Sequence, residues 1–273
     1  MTWVSLRVEP GLGRDDVLAT LFEAGAQGVH EDGSALVTHF PDASDVEGIC
    51  AAIMRVDPAA RCVVSETPIT DWSEAWKSRI GMHELGALVV APPWLASGAD
   101  PSTTIVIEPA MAFGTGEHAT TRGVVRLMQG LVRAGDVVVD LGAGSAVLAI
   151  AAAKLGAARV TAVELDPDAI GNALENVARN NVIDRVHVIE GDASALLPLL
   201  APVDVVLANI ISSVLIELLP TICTALTGDG RVVLSGILAD ERDAMLEAFT
   251  VGGWVVTAED REDVWWSVAI TRR

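Results

Sequence analysis

Long apolar runs, paired cysteines and positive charge are all scarce in this chain of 273 residues. It has no run of about 18 uncharged apolar residues, which a membrane-spanning helix needs. Its first residues lack the charged and then apolar pattern of a signal peptide, so we expect a cytoplasmic protein. The three cysteines, Cys50, Cys62 and Cys223, include no CxxC pair and are odd in number. We therefore expect reduced structural thiols, without a zinc site or a disulfide.

Basic side chains are half as frequent as acidic ones, with 18 against 37, and the net charge is -19. Such a charge repels the phosphate backbone of nucleic acids and attracts basic protein surfaces. We expect a basic protein partner and no direct binding to nucleic acid or membrane. The alternative is that the acidity only keeps the chain soluble.

The first 68 residues are predicted to form a small domain with the order strand, helix, strand, strand, helix, strand. This order is typical of the ferredoxin-like fold, a small sheet backed by two helices. Residues 69–83 are predicted to be a linker helix, on which Trp72 and Trp76 share one face, and residues 84–273 form the second domain. The predicted elements of the first domain cover residues 3–8, 15–24, 28–31, 35–40, 46–56 and 62–66.

From Asp136 onward, short apolar strands alternate with helices, and this alternation predicts an α/β domain with a doubly wound, mostly parallel sheet. Ligands of such sheets bind beyond the carboxyl ends of the strands. The last two predicted strands are joined by a short charged turn, which favours an antiparallel hairpin at the edge of the sheet.

The first strand of this domain ends in the stretch DLGAGSAVLAI (residues 140–150). Gly142 and Gly144 let the backbone approach a ligand closely, and the following helix presents its N-terminus to it. The second strand ends in Glu164, whose carboxylate is placed to bind the hydroxyl groups of a ribose. The pattern therefore predicts an adenosine-bearing cofactor.

Spacing and charge favour S-adenosylmethionine over a dinucleotide. A dinucleotide fingerprint requires glycine at the position of Val147, and Asp140 beside the glycine turn would repel a pyrophosphate but attract the ammonium group of S-adenosylmethionine. Asp192 closes the third strand, where the adenine is expected. Asn209 closes the fourth, where the transferable methyl group is expected.

A resemblance covers nearly the whole chain. The segments DWSEAWK, EPAMAFGTGEHATT, DLGAGSAVLAIAAAKLGA, VELDPDAIGNALENVARN, LANI and LSGIL resemble the PrmA family, the methyltransferases of ribosomal protein L-eleven. The resemblance implies that the N-terminal domain captures the protein substrate. It also implies that the Rossmann-like domain transfers methyl groups to lysine ε-amines and to the N-terminal α-amine. Four residues match cofactor-binding positions of the family: Thr121, Gly142, Glu164 and Asn209.

In light of this resemblance, AFGTGEHATT (residues 112–121) is interpreted as a flexible lid over S-adenosylmethionine. Phe113 would cover the cofactor and Thr121 would touch it, while the glycines of the segment permit closure. His118 has no second ligand at helical spacing, so we expect it to cap a helix or brace the loop and not to bind a metal. Asn209 is the candidate catalytic residue, which would orient the acceptor amine.

The sequence departs from the family pattern at several positions. Ala143 and Ala146 replace the more usual Cys and Gly, Glu164 replaces Asp, Glu117 and Ala119 alter the lid, and NIISSVL replaces a segment that usually resembles NILADPL. Ala146 is expected only to tighten packing at a helix start, and Ser212 and Ser213 are expected near the acceptor.

Three alternative functions remain: a lysine methyltransferase of another protein, a small-molecule N-methyltransferase, and a binding module without turnover.

Overall fold

The computed structural model describes residues 3–26, 28–41, 45–67, 77, 80–109 and 114–273. The chain divides into two compact units, residues 1–79 and residues 80–273. Most of the predicted linker, including Trp72 and Trp76, lies outside the described residues. No helix within the described ranges is both long and apolar enough to cross a membrane.

The N-terminal unit has the predicted order of strands and helices. Its four strands form an antiparallel sheet in the order β2-β3-β1-β4, which confirms the ferredoxin-like fold. Its elements are β1 (Trp3–Glu9), α1 (Arg14–Glu23), β2 (His30–Asp32), β3 (Ala35–Pro41), α2 (Val46–Val56) and β4 (Arg61–Thr67).

One face of this sheet is covered by the two helices. Leu6 and Val8 alternate along β1 and are fully buried, because successive side chains of a strand point to opposite faces. They pack in one core with Val17 and Leu21 of α1 and Ile53 of α2.

The C-terminal unit contains a seven-stranded sheet in the order β10-β9-β8-β11-β12-β14-β13. Strands β8 to β12 pair in parallel, β14 joins β12 antiparallel, and β13 pairs with β14 as the predicted edge hairpin. The elements are β8 (Val137–Leu141), α4 (Val147–Lys154), β9 (Arg159–Glu164), α5 (Pro167–Arg179), β10 (Val186–Glu190), α6 (Ala193–Leu200), β11 (Val203–Asn209), α7 (Ser212–Ala225), β12 (Leu226–Leu238), α8 (Arg242–Gly252), β13 (Trp254–Glu262) and β14 (Trp265–Arg272).

Both faces of this sheet are buried. The adjacent residues Val138 and Val139 belong to two different core clusters, and the same separation holds for Val205 and Val206. Apolar residues at consecutive positions therefore require helices on both faces of the sheet. The carboxyl ends of the parallel strands remain at one edge, where polar residues can meet.

Residues 80–128 contain four elements that the sequence analysis did not predict: β5 (His83–Leu85), β6 (Leu88–Ala91), β7 (Thr104–Val106) and α3 (Ala119–Met128). Residues 80–82, at the end of the predicted linker helix, are not helical, and His83 begins β5. The last three residues of the predicted lid, 119–121, form the start of α3. The three strands form a separate sheet in the order β5-β6-β7. Asn180, which caps the C-terminus of α5, accepts a hydrogen bond from the Val106 backbone amide (2.9 Å), and Asn176 of α5 accepts one from the Glu108 amide (2.8 Å). These amides anchor the chain just before the segment interpreted as a lid.

Candidate functional site

The carboxyl ends of four neighbouring strands surround a cavity of about 470 Å³. It lies where the sequence predicts the adenosine part of a cofactor, beyond β8, β9, β10 and β11. Its lining combines carboxylates with apolar side chains: Gly142, Val163, Glu164, Leu165, Gly191, Asp192, Ala193, Ser194, Ile210, Val214, Glu217 and Leu218.

Gly142 forms the turn after β8 in a left-handed conformation, with a φ of 71°. A Cβ atom at this position would lie 2.5 Å from Cγ2 of Ile210. A larger residue would therefore be strained and would collide with the cavity wall. Only glycine fits the turn without displacing that wall.

Glu164 lines the cavity and also organises the surrounding backbone. Its Oε2 accepts a hydrogen bond from the Gly144 amide (2.7 Å), and its Oε1 accepts bonds from the amides of Leu165 (2.8 Å) and Asp166 (2.9 Å). A carboxylate has about four lone-pair sites, so capacity remains for hydroxyl donors. The bond to Gly144 fastens the glycine turn to the end of β9.

Asp140 is fully buried in β8, and its Oδ2 accepts a hydrogen bond from the Ala149 amide near the N-terminus of α4 (3.0 Å). Its Oδ1 has no hydrogen-bond partner. Burial, opposed by the Ala149 bond and reinforced by the negative charge of Glu164, raises the pKa of Asp140 to about 7. A cation near this carboxyl group would favour its ionised form.

Asp192 follows β10 and caps α6. Its Oδ1 accepts hydrogen bonds from the backbone amides of Ser194 (2.7 Å) and Ala195 (3.2 Å) and also from the Ser194 hydroxyl group. These bonds, led by that of the Ser194 hydroxyl, lower the pKa of Asp192. The carboxylate is thus ionised and fixed at the rim of the cavity.

Asn209 ends β11 and lies beside Thr121 of α3. Its Nδ2 donates to the Thr121 hydroxyl group at 3.4 Å, while its Oδ1 is buried without a partner. Thr121 itself is 1% exposed. A buried acceptor without a donor is costly, so this carbonyl group is suited to a donor that arrives with a ligand.

Phe113 lies outside the described residues, but the segment from residue 114 to 118 is described and makes several contacts. The Ser145 hydroxyl group donates to the Gly114 carbonyl (2.8 Å). Oε1 of Glu117 accepts the Gly81 amide (2.8 Å) and is hydrogen-bonded to Nε2 of His83 (2.8 Å). This part of the segment is fastened at both ends, and the role of a lid stays a prediction.

His118 caps α3, as expected. Its Nδ1 is hydrogen-bonded to the Thr120 hydroxyl group (2.7 Å), and its ring meets Trp265 edge to face at 4.8 Å. Burial lowers the pKa of His118, with a further contribution from the charge of Arg122. In the part of the chain that the structure describes, no three His, Cys, Asp or Glu side chains are grouped as a metal site would require.

The site fits a positively charged nucleoside. The glycine turn leaves room for the ligand, Glu164 and Asp192 offer carboxylates to hydroxyl and amino groups, and Asp140 and Asn209 each hold an acceptor without a partner. S-adenosylmethionine combines a ribose, an adenine, an ammonium group and a sulfonium group.

Comparison with known proteins assigns the family. The model of the family described as "Ribosomal protein L11 methyltransferase (PrmA)" matches residues 14–273. This chain belongs to that family. The membership confirms the prediction of a methyltransferase that uses S-adenosylmethionine.

Individual relatives agree with this assignment. The chain is 40% identical over 219 residues to "Ribosomal protein L11 methyltransferase" of Symbiobacterium thermophilum, covering 77% of this chain and 67% of that protein. It is 35% identical over 291 residues to the protein of the same name from Myxococcus xanthus, covering 99% of each. The crystal structure of a ribosomal protein L11 methylase from Lactobacillus delbrueckii subsp. bulgaricus has 29% identity and a TM-score of 0.63. That match covers 70% of this chain and 98% of the other.

One departure from the family pattern has a different role from the one expected. Ala146, which stands where glycine is more usual, was expected only to tighten packing. It adopts a left-handed conformation with a φ of 65° and is fully buried. The expectation was wrong because the turn into α4 requires this conformation, which an alanine adopts only at a cost.

Two features of the site were missed by the sequence analysis. The first is the apolar wall from α7, where Val214 and Leu218 lie four residues apart and face the cavity. Their spacing was a usable signal, since residues at i and i+4 share a helix face.

The second missed feature is the hydrogen bond from the Ser212 hydroxyl group to Glu241 (2.7 Å), which gives Ser212 a structural partner.

Proposed function

We propose that this chain transfers methyl groups from S-adenosylmethionine to amino groups of a basic ribosomal protein; the name of its family supports the ribosomal protein as substrate. The observation that carries the proposal is the unpartnered Oδ1 of Asn209 at the end of β11. An amino group is a hydrogen-bond donor, so it would satisfy this acceptor.

The acceptor amine has to lose its proton before it reacts, because a lysine ammonium group has a pKa of about 10.4 and no free lone pair. Burial against Asn209 and Thr121 disfavours the charged form. When bound, S-adenosylmethionine supplies an electrophilic methyl group. The lone pair of the neutral amine would form the new bond to the methyl carbon, the sulfur would leave as a neutral thioether with the electron pair of the broken bond, and the resulting methylammonium group would release a proton to water.

Asn209 is proposed to act by position. Its Oδ1 accepts an N–H bond of the amine, while its Nδ2 is held by the Thr121 hydroxyl group. This arrangement fixes the direction of the nitrogen lone pair without a dedicated base. Orientation of two reactants lowers a barrier by several kcal/mol, up to about 7–11 kcal/mol in the best-aligned cases.

We propose that the cofactor is bound by the remaining predicted residues. Glu164 binds the ribose hydroxyl groups, Asp192 the adenine amino group, and Asp140 the ammonium group through its charge. Gly142 and Gly144 provide the close approach of the backbone, and Phe113 and Thr121 belong to the covering segment.

The N-terminal unit is proposed to capture the protein substrate. Its first 68 residues carry 11 acidic residues and four arginines, a net charge of -7. Two of the arginines are paired at the sheet, Arg7 with Asp32 and Arg14 with Glu31. The exposed carboxylates of the helix layer form no ion pair among the described residues: Asp15, Asp16, Glu23 and Glu47.

Unpaired carboxylates attract a lysine-rich protein and repel RNA. We therefore propose a basic protein partner, no direct nucleic-acid contact, and a cytoplasmic site of action where ribosomal proteins are made. The substrate-recognition role of residues 1–68 and the linker role of residues 69–83 belong to the same proposal.

The test is a methylation assay with radiolabelled S-adenosylmethionine and purified ribosomal protein L11. A matched reaction contains the Glu164→Ala variant, and a parallel reaction contains a lysate freed of ribosomes. Label on L11 with the wild-type chain and loss of label with the variant are expected. Label only on another protein would redirect the substrate assignment, and label only on a small product would replace protein methylation by small-molecule methylation.

A further inference from the structure

The outer side of α3 carries two arginines that bind the end of the last hairpin. Arg126 donates to both carboxylate oxygens of Asp260 (2.8 and 2.6 Å) and to Oε2 of Glu262 (2.7 Å). Nε of Arg122 donates to Oε1 of Glu262 (3.0 Å). Glu262 thus bridges the two guanidinium groups, although it lies 140 positions from Arg122 and 136 from Arg126 in the sequence.

Arg122 also contacts the loop that precedes α3. Its NH1 group donates to the carbonyl oxygen of Gly116 (3.1 Å) and to that of Glu117. One guanidinium group therefore joins the hairpin to the segment of residues 114–118. The planar fork of arginine can make these bonds simultaneously, which the single ammonium group of lysine cannot do with the same geometry.

The network is partly shielded from water. The Arg122 side chain is 15% exposed and that of Glu262 is 30% exposed. The hydrogen bond from Arg122 holds the pKa of Glu262 below its usual value, so the carboxylate is ionised at neutral pH.

The helix and the hairpin also pack closely beside the network. A Cβ atom on Gly123 would lie 2.3 Å from the Ser267 hydroxyl oxygen, so α3 has no room to shift toward β14. The ring of His118 contacts Trp265 at the first position of β14. The hairpin therefore supports the start of α3, which carries Thr121, as well as the loop before it.

We propose that Arg122 and Glu262 are positioning residues, which use the last hairpin as a fixed support to hold residues 114–118 and Thr121 at the cofactor site. The inference rests on the proposed use of S-adenosylmethionine at this site. Glu262 orients the Arg122 guanidinium group, and Arg122 fixes the two loop carbonyls. The ordering of the loop is then achieved before the cofactor binds, which lowers the entropic cost of binding.

The test compares Arg122→Lys and Glu262→Gln with Arg242→Lys. Arg242, the first residue of α8, makes a similar bidentate pair with Glu259 of the same hairpin and lies over the Trp266 ring at 5.4 Å, but it forms no hydrogen bond with the described residues of the loop. Calorimetry measures the dissociation constant of S-adenosylmethionine. Amide hydrogen exchange of residues 114–118, measured on the free protein, reports the order of the loop.

We expect both Arg122→Lys and Glu262→Gln to raise the dissociation constant by about fivefold and to accelerate exchange at residues 114–118. Arg242→Lys should change neither quantity. If Arg122→Lys lowers the thermal midpoint much more than Arg242→Lys does, Glu262→Gln becomes the deciding variant, because it keeps the size of the side chain.

Unchanged affinity and unchanged exchange in Glu262→Gln would overturn the positioning role, as would an equal effect of Arg242→Lys. Absence of S-adenosylmethionine binding by the wild-type chain would instead refute the proposed cofactor site. In that case the hydrogen exchange of the free protein would still decide whether Arg122 orders the loop.

Discussion

The two compact units bury their sheets in different ways. In the N-terminal unit, Leu6 and Val8 are fully buried on one face, whereas Val63, opposite Arg7 on the neighbouring strand, is 56% exposed. In the C-terminal unit, both Val138 and Val139 are buried, one on each face. A sheet covered on one side offers a broad surface, whereas a sheet covered on both sides offers only its edge.

This difference suits the two units to different roles, cofactor binding in one and contact with a large partner in the other. At the edge of the covered sheet, Glu164 and Asp192 line a cavity of small-molecule size, and Asp140 and Asn209, each with an unpartnered buried oxygen, lie on strands that end at the same edge. The N-terminal unit has no comparable set of strand-end residues among those described, and its helix layer carries unpaired carboxylates. This contrast supports our proposal that the second unit carries out the chemistry and that the first captures a large basic partner.

Removal of the first unit should have the largest effect, and it tests whether that unit captures the substrate while the second binds the cofactor. A chain that begins at Ile80 keeps every predicted cofactor residue, so it should bind S-adenosylmethionine with the affinity of the full chain. Methylation of the ribosomal protein should fall below detection, because the docking surface is gone. Calorimetry and the radiolabel assay measure the two quantities.

Retained methylation by the shortened chain would contradict the capture role and would favour a small amine as substrate. The control is the full chain at increasing salt concentration. Its activity on the protein should decline, because ions screen attraction between exposed charges.

The next effect concerns Asn209. Asn209→Ala removes the amide that we propose to orient the acceptor, so it should lower the turnover rate by about 100-fold, the cost of a reactant misplaced by roughly 1 Å. Steady-state kinetics at saturating cofactor measure the rate. Thr121→Ser, which keeps the hydroxyl group, is the matched control and should retain most activity. Unchanged turnover and cofactor affinity in Asn209→Ala would remove its catalytic role.

The cofactor site should respond more moderately to changes at Glu164. Glu164→Ala should weaken S-adenosylmethionine binding by at least about tenfold, since hydrogen bonds to a charged group contribute roughly 1.5–3 kcal/mol. The affinity of Glu164→Asp should lie between those of the wild type and Glu164→Ala. Its shorter side chain keeps the charge but does not span the distance to the Gly144 amide. Calorimetry measures both variants. An unaltered affinity in Glu164→Ala, or tight NAD binding by the wild type, would contradict the assignment.

Much of this division can be predicted from local sequence patterns. The alternation in β1 and the consecutive apolar residues of β8 distinguish a half-covered from a fully covered sheet. Gly142, Glu164, Asp192 and Asn209 can be predicted to lie along one edge, because each stands at or just after the carboxyl end of a strand of the same sheet. Residues that follow successive strands in the sequence therefore come together at the same edge of the folded sheet.

Other features depend on contacts that no local pattern encodes. Strands β5 and β7 have three residues each, too few for a periodic signal, and Asn180 holds β7 from 74 positions away. Arg122 and Glu262 are 140 positions apart. The left-handed conformation of Ala146 follows from the turn of the assembled sheet into α4.

Protonation of Asp140 should make cofactor binding depend on pH. With a pKa of about 7, the carboxyl group is mostly neutral at acidic pH and mostly ionised at alkaline pH. Because the bound ammonium group favours the ionised form, affinity should fall by up to about tenfold from pH 8 to pH 6. Calorimetry across this range measures it. Asp140→Asn keeps an acceptor for the Ala149 amide and should flatten the profile, and an equally steep profile in that variant would assign the dependence to another group.

The smallest expected effect tests how the second unit accommodates an alanine at a left-handed position. Relief of strain in Ala146→Gly stabilises the fold by about 1–2 kcal/mol. The lost methyl group costs about 0.8 kcal/mol, and the freedom of glycine in the unfolded chain costs about 0.5–1 kcal/mol. These contributions nearly cancel, so the free energy of unfolding should change by less than about 1 kcal/mol. Ala146→Val is the contrasting variant, because a branched side chain at this φ in a filled core is both strained and overpacked. Urea unfolding measures both. A large loss of stability in Ala146→Gly would mean that packing of the methyl group, and not the backbone conformation, dominates at this turn.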